Sequence, residues 1–325
     1  IINKERGETN RKFLHSVPTY ICKEGDRNFC LYMDTDSVYF DAESMLNHLY
    51  PNYDPLSDKE KDNLCEEVAL FYQNYVTTLY IKLAKEILNT GGKFLEMKTE
   101  AVNRTTYTRE TRRYAQWITK IEGRDVDMMD IKGLEYQKSN FPPILGTFFD
   151  KLLRQVIRGA TKEEIDEQVV KFKKELLDMD INKLGSPTRV KTLNNYLIRE
   201  PAAGEMFSII GKGAPAAVKA AIRYNDFIRF WKLDKKYSYI VQSDQVKWIY
   251  LKSNPYRMEA LAFLNYEMPP QIKTNLFDKY VDKNKVYESV LKNKIEGFFS
   301  DLNWVLEDNI EKNNFSLFFA KDLVS

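Results

Sequence analysis

The sequence predicts an α+β chain: antiparallel strands packed with helices in its first part, and a mainly helical second part. Three observations predict it. Short β-prone runs flank Asp34-Thr35-Asp36-Ser37, whose side chains favour turns, so residues 29–40 read as a hairpin. A long apolar stripe at helical spacing then runs from a capping box to a glycine pair. Beyond Pro142 the chain patterns chiefly as amphipathic helices.

Taken in order, the capping box is Ser57-Asp58-Lys59-Glu60. After it Leu64, Val68, Phe71, Tyr75, Leu79, Leu83 and Ile87 recur every three or four residues until Gly91-Gly92. That stripe is expected to be core packing. Residues 94–102, 112–121 and 126–134 are expected strands, which with the long helix make an α+β layer. The boundary between two compact parts is expected near Pro142-Pro143. Residues 144–157 form one expected helix, and the capping box Thr161-Lys162-Glu163-Glu164 opens another. Ser186-Pro187 and Ala214-Pro215 each put Pro where a helix could begin. Short strands are expected at 237–242 and 245–251, and helix again over 270–299. There is no internal repeat and no low-complexity segment.

A length of 325 residues allows a substantial core, and 43% hydrophobic with 30% charged residues is an ordinary globular balance. No apolar run approaches the ~18–20 residues that span a bilayer, and Ile1 opens no signal-peptide pattern. The expectation is a cytoplasmic protein, neither secreted nor membrane-bound. The absent initiator Met suggests a piece of something longer. Cys22, Cys30 and Cys65 lack CxxC spacing, and His15 and His48 are the only histidines. A structural zinc site, a disulfide framework and histidine-based nucleophilic catalysis are therefore poorly supplied.

Net charge is only +2, but it is unevenly spread. Residues 41–67 hold eight acids against Lys59 and Lys61, while 183–236 hold eleven Lys/Arg against four acids. The basic stretch suits a phosphate backbone, and equally a solvated helix face.

The candidate chemistry lies in the hairpin. Side chains two residues apart on an extended segment share a face, so Asp34 and Asp36 converge, and such like charges raise a pKa or demand a cation. An oxygen-rich site with few protein ligands favours Mg²⁺, which keeps positions open for phosphate and water. A calcium loop starting at Asp34 would need Gly at its sixth position and Glu at its twelfth; these are Tyr39 and Met45, which excludes an EF-hand. A turn held by Asx hydrogen bonds, with no metal, is the plain alternative.

Four segments in order carry a family resemblance. Tyr32-Met33-Asp34-Thr35-Asp36-Ser37 resembles motif C of the family B DNA polymerases, YGDTDS. "FLEMKTEAVN" carries the expected acidic strand, with Glu100 aligned to an acid near the metals. "ETRRYAQW", residues 110–117, resembles the K-K-R-Y segment, and "DIKGLEYQKSNFPP", residues 130–143, resembles the K-x-x-G-x-E segment that closes the palm. Spacing is closest to the T-even-phage replicative type, whose thumb helix "GAPAAVKAAIRYND" resembles and whose clamp-binding peptide the tail "NNFSLFF" resembles.

The resemblance spans about residues 29–319 and implies a palm portion at 1–141, a thumb at 142–313 and a clamp-binding-like tail at 314–325. It implies Asp36 as main ligand of two Mg²⁺ ions, with Mn²⁺ as alternative, and Asp34 and Glu100 as supporting acids. Arg112 and Tyr114 would contact primer-template DNA near the nascent pair, with Arg113 on the backbone. Lys132, Lys212, Lys219 and Arg223 are expected phosphate contacts. Phe315, Leu317, Phe318 and Phe319 would dock on a sliding clamp and raise effective concentration at the primer end.

Departures accompany it. Met33 replaces the usual Gly, Thr111-Arg112 replaces Lys-Lys, and residues 11–28 lack the amphipathic helix expected to lead into motif C. No motif A run of D-x-x-S-L-Y-P type, no fingers helix K-x-x-x-N-x-x-Y-G and no exonuclease carboxylates are found. A two-metal site needs carboxylates on both sides of the ion pair, so the chain carries half of one. The expected function is the C-terminal part of a DNA-directed DNA polymerase, inactive alone. An N-terminal part, separate or truncated away, would complete it for nucleotidyl transfer from dNTP to a primer 3′-hydroxyl. The alternative is a non-catalytic DNA- and clamp-binding module derived from a polymerase.

Overall fold

The computed structural model describes residues 30–34, 37–50, 52–91, 95–110 and 112–308. It is a mixed α+β chain whose sheets are all antiparallel, and it divides into two compact units between Lys132 and Gly133. The expected boundary at Pro142-Pro143 lies within the second unit. The strand before the division ends at Lys132, Gly133 turns with φ +69°, and the Tyr136 hydroxyl already donates to Asp150.

In the first unit β1 (Cys30–Asp34) and β2 (Ser37–Phe40) form the expected hairpin, with Asp34 opposite Ser37. A short helix α1 (Ala42–Leu49) follows, burying Leu46, and then the long helix α2 (Asp58–Glu86). α2 starts where the capping box requires: Ser57 Oγ accepts from Glu60 N, and the Glu60 carboxylate accepts from Ser57 N at 2.9 Å. β3 (Ala101–Glu110), β4 (Arg113–Ile121) and β5 (Arg124–Lys132) make a three-stranded meander.

The long helix meets this sheet with its polar side. Arg104 on β3 donates to Asp58 at 2.8 Å and Asp62 at 2.5 Å, and Lys120 on β4 pairs with Glu66 at 2.9 Å. Further along, Gln73 and Thr77 accept from the backbone N–H groups of Thr99 and Met97. At 3.6 residues per turn, Leu64, Val68, Phe71 and Tyr75 lie about half a turn away. The stripe expected as core is therefore not core. None of its seven residues is buried, and Leu79, Leu83 and Ile87 are 44%, 41% and 72% exposed. Among the described residues of α2 only Asp62 and Ala84 are buried.

The expected strand at 94–102 also moves. Residues 95–100 have no strand pairing, and β3 is the polar, β-branched run that follows them. Helix side chains, not a neighbouring strand, take the N–H groups of Met97 and Thr99.

The second unit builds its own core. α3 (Pro143–Ile157) and α4 (Lys162–Asp178) match the expected helices, and Phe148 stacks on Phe172 with centroids 3.8 Å apart. Two four-residue helices, α5 (Ile181–Leu184) and α6 (Leu193–Tyr196), flank β6 (Ser186–Arg189). β7 (Leu197–Arg199) and β8 (Ile209–Ile210) pair next, and α7 (Ala216–Phe230) follows. β9 (Gln245–Tyr250) lies between β6 and β10 (Ala260–Leu264), and every residue of β10 is buried. Helical segments then run through 270–280 and 283–301 and include π-helical turns at Lys273–Phe277 and Tyr287–Lys292.

Two local expectations fail here. Pro187 does not start a helix but sits in β6, an edge strand where a missing N–H is tolerated. Residues 237–242 are not a strand, because the Asn225 side chain takes both polar groups of the Ile240 backbone.

Gly185 ends α5 under Phe263 and Lys247; a Cβ there would stand 2.9 Å from the Phe263 ring and 3.0 Å from Lys247 Cβ. Gly185→Ala should destabilise the second unit by about 1–3 kcal/mol through overpacking, read by urea unfolding. Gly91→Ala, with open space around it, should be near neutral in the same assay.

The last described segment is held by ion pairs. Lys173 and Lys292 reach Asp308 at 3.1 and 3.3 Å, and Glu307 N donates to Asp166. Burial pushes the Asp308 carboxyl up, but the Tyr287 hydroxyl and the two ammoniums outweigh it and hold it below the usual range. A lowered folded value means that this stabilisation is present above the unfolded value, about 3.9, and is lost as pH falls through the folded one. Acid unfolding below about pH 4 should therefore be less steep in Asp308→Asn, followed by circular dichroism across a pH series.

Candidate active site

The two-residue interval between Asp34 and Ser37 holds Thr35 and Asp36. Asp34 is the last residue of β1, and its backbone position is described; Asp36 lies outside the described residues. The hairpin stands against two neighbours. Phe40, at the end of β2, packs on Tyr72 of α2 with centroids 5.5 Å apart, and the Tyr72 hydroxyl reaches Met45 Sδ at 3.6 Å. Tyr39 lies 6.4 Å from the ring of Tyr114 on β4. The sequence-distant Asp-Thr-Asp-Ser hairpin and Arg-Arg-Tyr segment thus meet through these two tyrosines.

Arg112 occupies the β3–β4 turn, exposed and at φ +62°, a conformation L-residues rarely adopt outside turns. Arg113 is engaged with Glu110 at 2.9 Å. Tyr114 pairs across the sheet with Lys132, and Asp130 joins them: its carboxylate takes the Tyr114 hydroxyl at 3.4 Å and the Lys132 ammonium at 3.1 Å. Lys132 also lies over the Tyr114 ring at 5.6 Å. Burial pushes the Tyr114 hydroxyl up, so it stays a neutral donor. The Tyr114 hydroxyl and the Asp130 carboxylate hold Lys132 above the ordinary lysine range, so it stays a cation.

Glu100 is exposed and just precedes β3, whose far end carries the Tyr114 pair roughly 25 Å along the strand. The structure does not bring Glu100 to Tyr114. Cys65 is a free thiol that burial pushes up to about 11, which leaves it protonated rather than nucleophilic. Among the described residues no group of three or more His, Cys, Asp or Glu could hold a metal. The Asp34 and Asp36 carboxylates lie outside that description, so the hairpin offers Mg²⁺ a donor pair by sequence and no third described carboxylate.

In the second unit Lys212 is exposed in the Gly211–Gly213 loop between β8 and α7, and Lys219 is exposed on α7. Arg223 is differently placed. It donates to Asp226 at 2.8 Å and to the Ser208 carbonyl at 3.1 Å, and it stacks over Phe207. Asp226 is fully buried and also accepts from Ser208 N and Oγ, while Arg229 lies 3.5 Å from it. Arg223 therefore braces the loop before Lys212. Phe315, Leu317, Phe318 and Phe319 lie outside the described residues.

Sequence reasoning missed Tyr39, Asp130 and Asp226. Asp226 carries a local signal, since Arg223 and Arg229 flank it three residues away on either side of one helix. Asp130 could have been found from the period-2 spacing that puts it on one face with Lys132. Nothing local pairs Tyr39 with Tyr114.

No protein-family model matches the chain, and no curated protein gives a significant match. No helix among the described residues is long and apolar enough to cross a membrane.

The docking of α2 on the sheet generates a direct test. Arg104→Ala leaves the largely buried Asp62 without its cation and uncovers Trp117, over which the guanidinium lies at 4.7 Å. It should cost about 2 kcal/mol, while Asp58→Ala, removing the exposed partner, should cost less than about 1 kcal/mol. Protection of the β3–β5 amides in hydrogen exchange measures both.

Proposed function

We propose that the chain is the C-terminal part of a DNA-directed DNA polymerase of the family B type. It would act in template-directed nucleotidyl transfer from a dNTP to a primer 3′-hydroxyl. The observation that carries the reading is the meeting of the Asp34-Thr35-Asp36-Ser37 hairpin with the Arg112-Arg113-Tyr114 segment through Tyr39 and Tyr114. These two motifs resemble neighbouring parts of a polymerase site, and the sequence separates them by about 75 residues.

Each group then has a role its chemistry suits. Asp36 is the main metal ligand and Asp34 the supporting carboxylate, with Mg²⁺ as the ion and Mn²⁺ as alternative. Two such ions, when bound, supply charge stabilisation at the α-phosphate and a more acidic primer hydroxyl. Arg112, exposed at its turn, and Tyr114, a neutral hydroxyl donor, suit contact with the primer-template near the nascent pair. Lys132, a permanent cation on the same sheet, suits a phosphate. Arg113 and Arg223, engaged with Glu110 and Asp226, suit support of those contacts. Lys212 and Lys219 suit the duplex backbone, with binding that weakens as salt rises. The remaining catalytic carboxylate comes from a polypeptide carrying motif A, and the tail at 314–325 suits docking on a sliding clamp.

Primer extension with Mg²⁺ tests the reading on the chain alone, the chain with a motif A- and B-bearing partner, and that mixture with Asp36→Asn. The expected result is extension in the wild-type mixture only, with a loss of about a hundredfold or more for Asp36→Asn. Salt-sensitive duplex binding with no extension in any mixture would instead support a non-catalytic DNA- and clamp-binding module.

A further inference from the structure

The middle strand of the β6–β9–β10 sheet carries a ring pair that the packing of the second unit leaves partly open. Trp248 and Tyr250 on β9 are both half-buried, and their rings meet edge to face with centroids 5.0 Å apart. In such a pair the ring that supplies the edge keeps its own faces off its neighbour. The Lys285 ammonium stands over the Tyr250 ring at 5.1 Å. Among the described residues the Trp248 indole N–H donates to no acceptor. Ring surface, an unspent donor and a cation thus occur together.

The surroundings of the rings select their partner. Pairing register sets Ser186 opposite Trp248 and Thr188 opposite Val246, so two hydroxyls flank the rings on one face of the sheet. Residues 280–282 take up the edge of β9 where β6 leaves it: Asp282 N donates to the Tyr250 carbonyl, and Lys252 N to the Tyr280 carbonyl. Segments 183–191, 245–252 and 280–285 therefore lie side by side, and together they hold seven Lys/Arg against one acid, Asp282. That acid is itself engaged by Lys285 N. Lys247 and Arg189 alternate onto the opposite face, so they add field and not contact. Aromatic faces in a field of cations match unpaired nucleobases on a phosphate chain. A duplex fits less well, because its bases are already stacked and paired. A peptide added as a strand also fits less well, since β6 is a four-residue strand interrupted by Pro187.

We infer that the β6–β9 face of the second unit is a binding platform for single-stranded DNA. Bases stack on Trp248 and Tyr250, while Lys285 and the Ser186 and Thr188 hydroxyls take phosphate oxygens. The remaining cations hold the strand by their field. The platform uses none of the residues assigned above to the primer-template duplex. That the strand is DNA and not RNA rests on the polymerase reading; the stacking platform does not.

The test irradiates the full wild-type chain with a thymidine dodecamer carrying one iodouracil base and maps the adducts by mass spectrometry. An adduct at Trp248 or Tyr250 is expected; adducts confined to other residues, or none, would overturn the inference. Fluorescence anisotropy then compares the dodecamer with an abasic strand of the same phosphate count. The abasic strand should bind about tenfold or more weakly, and Trp248→Leu should bring the dodecamer down to that level without changing the abasic strand. Trp248→Phe, which keeps an aromatic face, should retain most of the binding. Lys285→Ala, at an exposed position, should make the salt dependence shallower for both strands, by about 0.7 in the logarithmic slope. Equal binding of the two strands, or an equal loss for Trp248→Leu on a duplex of the same length, would sink the platform. Tighter binding of a uridine dodecamer would overturn the assignment to DNA. The two readings fail separately. A Trp248 adduct on a chain that supports no primer extension in any mixture removes the polymerase and keeps the platform. Extension with no adduct at either ring removes the platform and keeps the polymerase.

Discussion

The ion pairs that hold α2 to the sheet set the geometry of everything else in the first unit. Arg104 spans Asp58 and Asp62, and Lys120 is shared between Glu66 and Asp125. Lys120 is itself buried, and its partners hold it above the usual lysine range, so it stays charged where burial alone would favour the neutral amine. Such pairs add little net stability compared with an apolar contact of the same size, because desolvation offsets most of their attraction. What they supply is direction. With one face of the helix tied to β3 and β4, residues 95–100 run along Gln73 and Thr77, and Tyr72 stands where the hairpin can rest on it.

The second unit solves the packing problem conventionally and makes the contrast informative. α7 turns Val218, Ile222, Tyr224 and Phe227 inward beside a β10 that is wholly buried. Its one deeply buried acid, Asp226, is shared by two guanidiniums and by both donors of Ser208. A carboxylate with that many donors fixes the backbone around it, and here the fixed backbone leads directly into the Lys212 loop. The unit thus keeps its charges engaged at the base of the loop and leaves two lysines exposed beyond it. Both units use charge to orient chain, and among the described residues most of the buried apolar side chains belong to the second.

Local structure is legible in this sequence, and the facing of a helix is not. Both capping boxes start helices where Ser57 and Thr161 stand, since a cap is decided within four residues. The β1–β2 hairpin follows from its turn residues in the same way. Periodicity, however, says which residues share a face and not which face meets the sheet, so Leu64 to Ile87 read as core. Only the spatial partners Arg104 and Lys120, about 40–60 residues away, reverse that. The run Ala-Leu-Ala-Phe-Leu of β10 is short, apolar and without period, and so belongs to no element until β9 lies beside it. At the candidate site the motif residues were legible, because they are a sequence pattern. Tyr39 and Asp130 are supports drawn in by tertiary contact, and motifs do not record them.

On the proposed reading, the divided site has a physical rationale. Asp34 and Asp36 are like charges one residue apart, unfavourable together until a cation and a further carboxylate arrive. The hairpin that carries them rests on α2 through Phe40 and Tyr72. On that reading the repulsion is relieved when the ions and the motif A-bearing polypeptide are both in place. Binding of the polypeptide and binding of the ions would, on that reading, favour one another by linkage. A half-site that were rigid and complete without its partner would gather metal and phosphate unproductively. A half-site completed only by its partner confines the chemistry, on that reading, to the assembled enzyme.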